Sequence, residues 1–115
     1  MGVDMSGSGD HQVMITHSDG HVVVHVVGEI DLQTEATLRG TLSEATDSGR
    51  RVVVDLSRVT FIDSTGLKAL LEAWRFQTAA GRELVLRNPS GPALRTFEYA
   101  GLADTLTIDR QRSSR

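Results

Sequence analysis

Valine-rich runs alternating with amphipathic stretches predict an α/β fold: a mixed β-sheet opened by an antiparallel hairpin, with helices packed chiefly on one face. Three observations carry this. Two β-branched runs flank Ser18-Asp19-Gly20-His21. A third run, Val52-Val53-Val54-Asp55-Leu56, lacks the in/out alternation of a half-exposed strand. A leucine stripe at helical spacing follows it and precedes another strand-like run. At 115 residues the chain has the length of one domain.

Residues 1–10 are acidic and rich in Gly and Ser, and read as a flexible tail unlike a signal peptide. Val13–Thr16 and Val22–Val27 read as strands, and Asp19-Gly20 between them as a type I′ turn, which needs positive φ at both central positions. Gly28-Glu29-Ile30-Asp31 then leads into a helix from about Leu32 to Asp47, with Asp31 as its N-cap and Glu35 near its start. Leu38, Leu42 and Ala45 share a face, and Ser48-Gly49 closes the helix. After the Val52–Leu56 strand, Ser57 to Asp63 reads as a loop. The next helix shows Leu67, Leu70, Leu71, Trp74 and Thr78 in one stripe and ends at Gly81. Glu83–Arg87 is a strand, so strand, helix and strand form a βαβ unit. Pro92 marks a third helix with Leu94 and Phe97 on one face and Gly101 at its end. Thr105–Ile108 alternates like a last strand, and Arg110–Arg115 is a polar tail, leaving residues 11–109 as the domain.

Composition narrows the function. A net charge of −3 with few aromatics, and no basic stripe, argues against nucleic-acid binding. Absence of cysteine excludes disulfides, thiol nucleophiles and zinc–thiolate sites. No apolar run is long enough to span a bilayer, so the expected setting is the cytoplasm, away from any membrane. A hydrolase nucleophile elbow needs Gly two residues before its Ser, and Ile62 stands there before Ser64. His21 and His25 would lie about 13 Å apart along a strand, too far to share a metal ion. No phosphate-binding glycine motif occurs. The expectation is a protein without catalytic activity or cofactor.

The informative segment is Val53-Val54-Asp55-Leu56 leading to Phe61-Ile62-Asp63-Ser64-Thr65-Gly66-Leu67. It sets two hydroxyls at a helix start, where unpaired N–H groups favour an added phosphate. Together with Gly28-Glu29-Ile30-Asp31 and Glu98-Tyr99-Ala100-Gly101-Leu102, this segment resembles the STAS domain family over residues 12 to 108. The Asp-Ser-Thr-Gly-Leu string is similar to the motif of its branch of bacterial anti-sigma factor antagonists.

The resemblance implies a phosphorylation switch in transcription and stress signalling. The unphosphorylated form would bind an anti-sigma factor that is also a serine kinase, freeing a sigma factor. The kinase, with its own ATP and magnesium, would phosphorylate Ser64 and abolish binding, and a metal-dependent serine phosphatase would reset it. Partner contacts are expected at Asp31, Arg58, Thr60, Asp63, Ser64, Thr65, Gly66 and Lys68. Asp63 has two candidate roles, capping the helix or orienting the Ser64 hydroxyl. The alternative is a non-switching adaptor subunit in a stress-signalling or lipid-transport assembly. Family members often carry a further C-terminal helix, which the residues after Ile108 are too few to form.

Overall fold

The structure, a computed structural model, describes residues 11–110. The sequence-predicted tails, apart from Arg110, lie outside the described residues. Strand β1 (His11–Ser18) pairs antiparallel with β2 (His21–Ile30), with Ser18 opposite His21, so Asp19 and Gly20 alone form the turn. Only Gly20 has positive φ, at 80°. The turn is therefore not type I′, because Asp19 avoids the left-handed region that its Cβ disfavours.

The first helix begins three residues later than predicted. Asp31 starts a separate turn: its carboxylate accepts from the N–H groups of Gln33 (3.0 Å) and Thr34 (3.2 Å). Helix α1 (Glu35–Asp47) then follows, with Thr34 in the cap position. Ser48 caps its C-terminus, and Gly49 takes the left-handed conformation after it.

The predicted loop from Ser57 to Asp63 is a strand for most of its length. Strand β3 (Arg51–Ile62) stays paired in parallel with β2 up to Ile30 opposite Ile62. Register shifts after His25 and after Gly28 absorb extra residues of β3. They turn Val59 and Ile62 into the core while Arg58, Thr60 and Phe61 stay exposed. That irregular phase explains why the strand's upper half has no readable period.

Helix α2 (Ser64–Ala79) buries Leu67 and Leu70 as predicted, but Thr78 is exposed and Gln77 is fully buried in its place. The Gln77 amide donates to the carbonyls of Arg50 and Glu83, and its oxygen accepts from Arg82 Nε, so its burial costs no hydrogen bond. Strand β4 (Leu84–Arg87) and helix α3 (Gly91–Tyr99) match the reading; Ser90 caps α3 through Ala93 N–H.

The final strand, β5, is only Ile108–Asp109. Thr105 and Leu106 instead donate to the Leu102 carbonyl in a turn that buries Leu106. The sheet order is β1-β2-β3-β4-β5, antiparallel in its first pair and parallel thereafter. One core joins Val22, Val24, Val52, Val54, Leu84 and Leu86 to Leu38, Leu42, Leu70 and Phe97 of the helices. All three helices therefore feed the same face. Val23, Val53 and Val85, in register across the opposite face, are also buried, which accounts for the missing alternation.

Candidate functional site at the tip of the second helix

The C-terminal ends of β2 and β3 meet at the start of α2. Asp63 N–H donates to the Ile30 carbonyl at 3.0 Å, fixing the turn between strand and helix. The Asp63 carboxylate then caps the helix, accepting from Thr65 N–H (2.9 Å), Gly66 N–H (3.2 Å) and the Thr65 hydroxyl (2.6 Å). Partial burial disfavours its charge, but the Thr65 hydroxyl and the N–H groups of Gly66 and Thr65 outweigh this. They hold the carboxyl below the ordinary aspartate range.

Of its two candidate roles, the geometry displays capping. The hydroxyl Asp63 engages is that of Thr65, half-buried, whereas the Ser64 hydroxyl makes no hydrogen bond to the described residues. Ser64 is exposed at the helix's first position, where the N–H groups leave partial positive charge.

Gly66 is buried for a steric reason. A Cβ there would lie 2.2 Å from Ile30 Cγ2 and 3.2 Å from Ile62 Cγ1. This glycine lets α2 approach the strand ends closely, and it has no side chain to offer a partner.

The remaining predicted residues divide in two. Asp31, half-buried, lies near Asp63, because the carbonyl of the preceding Ile30 accepts from Asp63 N–H. Lys68 is exposed one turn along α2. Arg58 and Thr60, exposed on β3, instead line a shallow recess with Val27, Gly28 and Glu29. Two side chains at this end escaped the sequence reading: Leu32 is 70% exposed and Phe61 49% exposed. Leu32 read as a helical residue and Phe61 as part of a loop, so neither signalled an unburied apolar surface.

Asp55, in the preceding strand of the motif, belongs to another cluster. It accepts from Ser57 N–H (3.0 Å) and Ser57 Oγ (2.8 Å), with Arg87 at 3.6 Å and His25 at 3.9 Å. Burial opposes its charge, but Ser57, Arg87 and His25 together hold its carboxyl low. Among the described residues no group of three or more His, Asp or Glu side chains is placed to hold a metal ion. No described helix is long and apolar enough to cross a membrane.

Comparison with known proteins places this arrangement. A family model described as "Mlab, STAS domain" matches residues 13–108. The anti-sigma-B factor antagonist of Listeria monocytogenes is 34% identical over 89 residues, covering 76% of this chain and 78% of that protein. That of Bacillus subtilis is 29% identical over 96 residues, covering 84% and 88%. A crystal structure of an anti-sigma factor antagonist from Mycobacterium paratuberculosis superimposes with a TM-score of 0.78 at 29% identity, covering 86% and 85%. The chain belongs to the STAS domain family, among its anti-sigma factor antagonists.

Proposed function

We propose that this chain is an anti-sigma factor antagonist switched at Ser64. Unphosphorylated, it binds an anti-sigma factor that is a serine kinase, and so frees a sigma factor for transcription. Phosphorylation of Ser64 abolishes that binding, and a metal-dependent serine phosphatase restores it. The chain acts in the cytoplasm as a binding protein, with no catalysis of its own. Asp31, Asp63, Ser64, Thr65 and Lys68 form the centre of the contact, with Arg58 and Thr60 at its margin. Gly66 contributes by letting the helix seat.

The observation that carries this reading is an exposed Ser64 hydroxyl at a helix tip whose Asp-Ser-Thr-Gly-Leu string matches the family motif. The neighbouring hydroxyl of Thr65 is held by Asp63, which supports Ser64 as the acceptor.

The physics follows from charge. A phosphate adds about −1.5 to −2 charge, next to Asp63, whose N–H bonds to the carbonyl of Ile30, the residue before Asp31. Like charges brought together at an interface cost several kcal/mol, and about 1.4 kcal/mol is tenfold in affinity. One phosphate therefore weakens binding roughly a hundredfold or more. The helix N-terminus tolerates the anion, so the fold stays intact.

Incubation with the anti-sigma kinase and ATP tests the site. Peptide mass mapping should find one phosphate, on Ser64, and Ser64→Ala should stay unmodified and able to bind. A phosphate on Thr65 or elsewhere would refute the assignment. Co-purification with a transporter ATPase in place of a kinase would favour the adaptor alternative.

A further inference from the structure

Lys68 is the only lysine in the chain; every other member of its Lys and Arg set is arginine. It stands on α2 four residues after Ser64, and Glu72 follows four residues later. Ser64, Lys68 and Glu72 are all exposed, while Leu67, Leu70, Ala73 and Gln77 turn the other side of α2 into the core. The three therefore form one row along the solvent face of the helix.

Within that row Glu72 already has a partner. Arg39 of α1 joins it to Glu35, donating from Nη1 to Glu72 and from Nε to Glu35. Arg39 holds the Glu72 carboxyl below the ordinary range, and Lys68 adds only a weaker attraction from a distance. Among the described residues Lys68 itself forms no ion pair and no hydrogen bond through its side chain. Helix geometry favours the opposite direction. Side chains lean toward a helix's N-terminus, so Lys68 reaches back over the turn that carries Ser64. An anion four residues before a lysine also pairs better than one four residues after it.

We infer that Lys68 is the counter-ion of the Ser64 phosphate, and that it lets the tip of α2 take the charge without loosening the Asp63 cap. The inference rests on the function proposed above and adds how the modified state is held. A phosphate on Ser64 sits one residue from the Asp63 carboxylate, whose bonds to the N–H groups of Thr65 and Gly66 open the helix. Repulsion between the two anions opposes those bonds, and an ammonium drawn onto the phosphate offsets it. One positive charge does not neutralise Asp63 together with a phosphate of about −1.5 to −2. The tip stays negative and still repels the partner.

The test uses the full chain made with phosphoserine at position 64 during synthesis, so that no kinase is needed. Phosphorus NMR titration at low salt should give a second phosphate pKa a few tenths of a unit lower in wild type than in Lys68→Met, the size expected of an exposed i,i+4 pair. The sign follows because the ammonium favours the dianion. Lys68→Arg should keep the wild-type value, and so should Arg75→Met, which removes the same charge about 16 Å along the helix. The difference should fade near 1 M salt. In urea, the phosphate should raise the unfolding constant of Lys68→Met roughly twofold more than that of wild type. In lysine-labelled protein the single ε-methylene signal should move on phosphorylation. Equal pKa values in wild type and Lys68→Met, or an equal shift in Arg75→Met, would overturn the inference while leaving the switch intact. Failure of the anti-sigma kinase to phosphorylate Ser64 of the unmodified chain would bring down the functional reading, and the inference with it.

Discussion

Asp63 and Gly66, three residues apart, set the start of α2 by opposite means: one supplies a charge, the other the absence of an atom. Replacing Asp63 with Ala should cost about 1 kcal/mol, the usual worth of an N-cap. The effect has a defined pH dependence. The folded carboxyl is held below its unfolded value, so the stabilisation is complete above about pH 4 and fades as pH falls through the lower, folded value. Urea denaturation of wild type and Asp63→Ala should therefore differ near pH 7 and converge in acid; a gap that widens in acid would refute the capping account. Gly66→Ala should destabilise by about 1–3 kcal/mol, because the new methyl meets β-branched Ile30, itself buried and confined. Unchanged stability in that variant would mean the helix can lift off the strand ends without loss.

Among the elements, α2 is fixed at both ends, and Gln77 does for the far end what Asp63 does for the near one. Its amide bonds join α2 to the backbone at the starts of β3 and β4. Gln77→Ala should lose about 1–3 kcal/mol by leaving buried polar groups short of partners. A denaturation midpoint unmoved from wild type would contradict this. Such contacts also mark how far the fold was legible in the sequence. Local chemistry was readable: the cap at Asp63, Pro92 at the opening of α3, and the closing glycines at 49, 81 and 101 all act within a few residues. Features set by distant partners were not. Gln77 is buried because Arg50, 27 residues earlier, offers a carbonyl, and β3 continues past Ser57 because β2 supplies a shifted register. The same holds for Asp31, whose capping geometry was readable although the helix it seemed to open begins after a further turn.

For the molecule as a whole, three helices feed one core on one side of a mixed sheet, and the parallel strands β2 and β3 end beside the start of α2. The site was legible from its motif, yet only partly as a surface. Ser64, Asp63 and Asp31 come together as read, whereas Gly66 turns inward and Leu32 and Phe61 emerge as exposed apolar groups. Nothing about the rigid frame has to move for the proposed switch to work, since the added charge sits outside the core. The most direct test is a titration of the purified anti-sigma kinase into the bare and the Ser64-phosphorylated protein, each first checked for an unchanged amide NMR pattern away from the tip of α2. The account predicts affinity at least a hundredfold weaker for the phosphorylated form with the fold preserved. Equal affinity, or a loss of binding that comes with refolding of the domain, would contradict it.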